Sequence, residues 1–165
     1  MGTDKTNVQT PVSVKEVTDV MRKQLRAPLP PEAITQHPTK TFLSAIKAIY
    51  VEERLNDVFG IGAWQTRVSH VETEDYKQMQ KNNTVAVDKK MVVVQVTLEI
   101  PDYGIYHQAY GGNDNDDLGD AYKGATTDAI TKIGSYLEIG LDVFKGKHNA
   151  TAKKPQAPNP DDIPF

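Results

Sequence analysis

The period of the apolar positions changes several times along this chain, and each change marks an element. In SVKEVTDVMRKQLR, Val14, Val17, Met21 and Leu25 recur at helical intervals, and Ser13 and Glu16 have the spacing of a capping box. A short helix is expected there, ended by APLPP. From about Thr41 to Val58 the helical period returns, with Phe42, Ile46, Ile49, Leu55 and Phe59 as apolar positions and Gly60 as a stop. The pattern then switches to alternation. AWQTRVSHV reads as a strand, and MVVVQVTLEI puts Val92, Val94, Val96, Leu98 and Ile100 on one face of another. A polar hairpin loop, about Tyr76 to Lys90, is expected between them. PDYG is composed for a tight turn, IYHQAY reads as a third strand, and GGNDNDD as a further break.

The last helix opens in the acidic cluster Asp114, Asp116, Asp117 and Asp120, which suits the positive end of a helix dipole, and runs through LGDAYKGATTDAITKIGSYLEIG. Tyr122, Ala125, Ala129, Ile133 and Tyr136 form one stripe, widened by Ile130 and Leu137, that should pack on the sheet. Lys123, Thr127, Thr131 and Glu138 share a polar stripe, with Lys132 further round the helix. The predicted fold is α+β: two N-terminal helices, then a three-stranded antiparallel β-meander packed against a long C-terminal helix.

Length and composition add limits. A chain of 165 residues without internal repeats fits one core, placed at 12–147, between a polar N-terminus at 1–11 and a Pro- and Ala-rich linker with an acidic tip at 148–165. No apolar run is long enough to span a membrane and MGTDKTNVQT lacks a signal-peptide core, so a soluble cytoplasmic protein is expected. There is no cysteine, and His37, His70, His107 and His148 are too scattered for a metal set. A net charge of -3 means that a polyanionic partner would need a local basic groove. The acidic cluster does not match a calcium loop, because Gly119 comes one residue late and the closing Glu is missing. With no phosphate-binding loop and no nucleophile motif either, neither an enzyme nor a cofactor is expected.

Two segments are specific enough to compare with a known family. NDVFGIGAW, at the end of the second helix, and AYKGATTDAITKIGSYLEIGLDVFKG, after the meander, resemble the Rad-fifty-two family of single-strand annealing proteins, in particular its short bacterial and phage members of the DNA-damage-response A type. The resemblance covers about Leu25 to Gly146. It implies an ATP-independent protein that binds single-stranded DNA, assembles into rings or helical arcs, and pairs complementary strands. It also implies a DNA groove between the hairpin side and the last helix, with Lys123, Thr127 and Lys132 at matching positions. Thr131 and Ser135 stand where better-studied members have basic residues, and Tyr50 where they have an Arg, which predicts weaker binding.

The second helix could supply the missing charge, since Lys47, Tyr50 and Arg54 are spaced i, i+3, i+7 as cation, aromatic and cation. Each has a structural alternative: Tyr50 in the core, Lys47 and Arg54 as a solvated face or as partners of Glu53 and Asp57. Arg67 on the first strand and Lys89 and Lys90 at the hairpin base are surface charges that become groove candidates through the resemblance. Two other functions fit parts of the chain. A double-stranded RNA-binding domain shares the helix, sheet, helix order, but its last helix starts in lysines where this one starts in acids. An adaptor would use only the tail.

The final residues DDIPF resemble the acidic tip of bacterial single-stranded DNA-binding proteins, which recruits repair and replication enzymes. Phe165 suits an apolar pocket, Asp161 and Asp162 a basic rim, and Ile163 and Pro164 add apolar contact with a pre-set backbone.

Overall fold

The computed structural model describes residues 13–36, 44–80 and 85–147. Helix α1 spans Asp19–Leu25, later than its apolar pattern suggests, because Thr18 rather than Ser13 caps it: the Thr18 hydroxyl accepts from the Met21 N–H at 3.2 Å. The Ser13–Glu16 capping box does not form. Instead Lys15 N–H donates to the Asp102 carbonyl at 2.7 Å and its ammonium pairs with the Asp102 carboxylate, so this stretch runs as an extended strap beside the turn before the last strand.

A second departure precedes the next helix. Strand β1 (Ile34–Gln36) pairs antiparallel with β2 (Ser44–Ile46), and helix α2 (Ala48–Phe59) starts only after Lys47. Ile46, expected on a helix, is a buried strand residue whose side chain reaches Gly140. Thr41 and Phe42 lie outside the described residues. The predicted stop holds, with Gly60 at φ 101° and its N–H on the Asn56 carbonyl.

The meander consists of β3 (Gln65–Met79), β4 (Ala86–Ile100) and β5 (Ile105–Asn115), in that spatial order and antiparallel throughout. Its strands are longer than expected. Most of the anticipated loop from Tyr76 to Lys90 is ladder, down to the pair Met79 and Ala86, and Gly111 to Asn115 continue β5 instead of breaking the chain. The hairpin arm alternates polar with polar, so no apolar period reports it. Cross-strand contacts hold it instead: Lys90 pairs with Asp75 at 2.9 Å and the Tyr76 hydroxyl donates to Asp114 at 2.8 Å.

Val92, Val94, Val96, Leu98 and Ile100 are all buried on one face of β4, as the alternation requires. Helix α3 (Leu118–Tyr136) packs across that face, with Asp117 as its cap accepting from the Asp120 N–H at 2.9 Å. The buried stripe is Ala121, Ala125, Ala129 and Ile133. Tyr122 is only half-buried and Tyr136 is exposed, its ring set edge-on against His107. Alanines along the stripe let the helix come close to β5: a Cβ on Gly111 would collide with the Ala125 carbonyl oxygen. Helix α2 packs on α3, where Val51 meets Gly134. After α3, Glu138 adopts a left-handed φ of 67° and a one-turn helix α4 (Leu141–Phe144) follows. Arg22 grips Glu138 with two hydrogen bonds of 2.7 and 2.9 Å, tying α1 to the end of α3. No helix among the described residues is long and apolar enough to cross a membrane.

Candidate nucleic-acid interface

A cleft of about 690 Å³ lies between the start of α2, the middle of α3 and α4, lined among others by Lys47, Asn113, Thr127, Asp128, Thr131 and Phe144. Lys47 stands at the lip as the N-cap residue of α2. Its extended backbone (φ -73°, ψ 124°) leaves the side chain exposed while its N–H donates to Ala33.

Thr127 and Thr131 face the cleft, but their hydroxyl protons are directed back along the helix. Thr127 donates to the Lys123 and Gly124 carbonyls and Thr131 to that of Asp128. What they turn toward a ligand is an acceptor oxygen. Charge on this helix comes from two lysines. Lys123 is exposed and has no ion pair among the described residues. Lys132 is engaged: its ammonium donates to Asp128 Oδ2 at 2.7 Å and to the Tyr110 carbonyl at 3.0 Å. The same Asp128 oxygen accepts the Gly112 N–H at 3.1 Å.

The other candidates are placed differently. Tyr50 is half-buried against the core. The Arg54 guanidinium donates to the carbonyls of Gln24, Leu25, Ala27 and Pro28 at 2.7 to 3.3 Å, and so caps the C-terminal end of α1; Glu53 and Asp57 are not its partners. The suggested row of Lys47, Tyr50 and Arg54 is thus a cap, a packing residue and a structural clamp. Arg67 sits opposite Thr97 on the sheet face turned away from α3, a face that also exposes Tyr106 and Tyr110. Lys90 is paired with Asp75, and Lys89 lies opposite Tyr76 in the hairpin arm, in a shallow depression with Lys77 and Asp88. The hydrogen bond to Asp114 raises the pKa of Tyr76 above the ordinary phenol value.

The fold therefore gathers Lys47, Thr127 and Thr131 at one cleft, with Lys123 and Lys132 on the same helix, and leaves Arg54, Arg67, Lys89 and Lys90 elsewhere. Asp128 and Asn113 were not anticipated. The Asp128 and Lys132 spacing of i, i+4 was readable as an ion pair, whereas Asn113 comes into place only through β5 running past its expected end. Among the described residues no three His, Asp or Glu side chains converge on a cation-sized site. Asp117 of the acidic cluster is a cap and Asp114 holds Tyr76. Asp161, Asp162, Ile163, Pro164 and Phe165 lie outside the described residues.

A single meander closed on one face by a long helix, with Lys123, Thr127 and Thr131 along that helix's polar stripe, defines the class architecturally. The family follows from sequence. Residues 18–159 match the model of the Rad52/22 family double-strand break repair protein, and this chain belongs to that family. Its members generally act as ATP-independent single-strand annealing proteins. No curated protein matches the chain significantly.

Proposed function

We propose that this protein binds single-stranded DNA along the α3 cleft and anneals complementary strands as a homo-oligomer of bacterial or phage type, without a nucleotide cofactor. The observation that carries the reading is the cleft beside α3, where exposed Lys123 and the lip residue Lys47 offer positive charge in a protein of net charge -3, while Lys132, paired with Asp128, stands on the β5 side of the helix. Thr127 and Thr131 contribute acceptor oxygens that suit base amino groups better than phosphate. Self-assembly is favoured by the edge of β3, which no other strand among the described residues pairs, whereas on the β5 edge Asp128 and Lys132 engage the Gly112 N–H and the Tyr110 carbonyl.

The test is a salt series on single-strand binding. Lys123→Ala should weaken binding and lower the log–log salt slope by about 0.7, the loss of one phosphate contact. An unchanged slope and affinity would remove α3 from the interface. Light scattering that finds only an 18.3 kDa monomer, with and without DNA, would refute assembly.

The DDIPF segment is proposed to dock with enzymes that bind the tails of bacterial single-stranded DNA-binding proteins. Its removal should abolish that association and leave strand binding in place. Phe165→Ala should do most of the damage, because an aromatic anchor carries a large share of a small interface. Retained association after removal would end the tail proposal without touching the cleft.

A further inference from the structure

The cleft flank carries a carboxylate where a phosphate-binding surface would do better without one. Asp128 is half-exposed on α3, one turn before Lys132, and its Oδ2 is 2.7 Å from the Lys132 ammonium. Lys132 also donates to the Tyr110 carbonyl, so two of its three protons are already bound and its charge is partly offset by Asp128. A phosphate approaching Lys132 competes with Asp128 for its charge, and the carboxylate beside the strand repels it.

Asp128 is not simply the support that holds α3 to β5. Its contact with Gly112 N–H needs an acceptor oxygen rather than a charge, and an Asn side chain would supply one. The negative charge has its effect on Lys132. We propose that Asp128 is an internal competitor for Lys132, which lowers the affinity of the cleft for a DNA strand and keeps the bound strand exchangeable. This rests on the strand-binding role proposed above. A protein that pairs two strands must hold each one loosely enough for it to move in register, and a counter-charge beside one of its few cations has that effect.

The experiment compares wild type, Asp128→Asn, Lys132→Ala and the double variant for binding to a fluorescent thymidine oligonucleotide, at several salt concentrations and with melting curves alongside. Asp128→Asn should bind about two- to fivefold tighter at low salt, the equivalent of one half-exposed ion pair, and the gain should shrink as salt rises. The gain should vanish in the Lys132→Ala background, because Asp128 acts through that lysine. Annealing by Asp128→Asn should be slower than wild type at saturating protein despite the tighter binding.

Unchanged or weaker binding by a folded Asp128→Asn, while Lys132→Ala weakens binding, overturns the proposal and leaves the strand-binding role standing. Wild type that binds no strand at all overturns both. If Asp128→Asn unfolds, a structure of the wild-type complex decides: Lys132 Nζ on a phosphate and away from Asp128 supports the competition, and Nζ still on Asp128 overturns it.

Discussion

Gly111 is the point where sheet and helix come closest, and a single methyl group there tests the packing that positions the cleft. The residue pairs with Val94 in the ladder, so its α-hydrogen faces α3. A Cβ in that direction overlaps the Ala125 carbonyl oxygen and lies 2.6 Å from Ala129 N and 2.9 Å from Ala129 Cβ. These are mainly backbone atoms of a regular helix, and no rotamer change can move them. To reach an ordinary contact of roughly 3.4 Å from Ala129 N alone, α3 must lift by about 0.8 Å. That lift loosens Ala121, Ala125 and Ala129 over Val92, Val94 and Val96, all buried to 5 % exposure or less. Overpacking costs about 1–3 kcal/mol, and a helix that must move as a unit belongs at the upper end. Gly111→Ala should therefore lose about 3 kcal/mol and melt roughly 12 °C lower, at about 4 °C per kcal/mol for a domain of this size. Gly112→Ala is the control. Its Cβ meets only the Met91 Cε, at 3.2 Å, and Val92 O, at 3.8 Å; the methionine end can swing aside. Loss of glycine's freedom in the unfolded chain should make that variant neutral or slightly stabilised. Melting curves or urea titrations of the two variants decide the matter. A loss below about 1 kcal/mol for Gly111→Ala, or equal losses for both, would refute the close approach.

Three further predictions concern residues that the fold uses outside the cleft. Arg54→Ala removes the donors that cap α1 and should cost about 2–3 kcal/mol by urea titration, with the salt slope for DNA unchanged; Arg54→Lys should restore only part, since an ammonium cannot fork across four carbonyls. The Arg22 hydrogen bond holds the Glu138 carboxyl below the ordinary value of 4.5, so its contribution is present above that pH and is lost as pH falls through the lowered folded value. Melting temperatures of wild type and Glu138→Gln should differ near neutral pH and converge in acid; a constant difference would contradict the linkage. Tyr50→Ala should lower stability by about 2 kcal/mol, because the ring packs on the core, and a variant of wild-type stability with weakened DNA binding would show that the ring stacks on a base instead.

The parts of the fold that one apolar face dictates were readable in the sequence. Five buried residues alternate along β4, and the order of α1, α2, the meander and α3 follows from period changes, whereas the short β1, β2 and α4 leave no such period. The polar hairpin arm was not readable, because Glu74, Tyr76, Gln78, Lys89 and Val87 alternate with residues scarcely more apolar than themselves and the ladder is held by pairs such as Asp75 with Lys90. Ile46 was misplaced because one apolar residue at helical spacing also fits a three-residue strand. For the cleft, Lys123, Thr127 and Thr131 could be assigned to one stripe of a helix from spacing, with Lys132 further round it. That Arg54 clamps α1 and Asp128 occupies Lys132 are tertiary facts, set by where α1 ends and where β5 passes.

The account stands most directly on strand annealing. Two complementary oligonucleotides, one labelled, are mixed with the protein in the absence of any nucleotide, and duplex formation is followed over time against the spontaneous rate. The account predicts a faster rate with wild type, reduced in Lys123→Ala at moderate salt. A protein that binds the single strand yet leaves the rate at its spontaneous value would contradict the annealing role, and one that binds neither strand would contradict the interface itself.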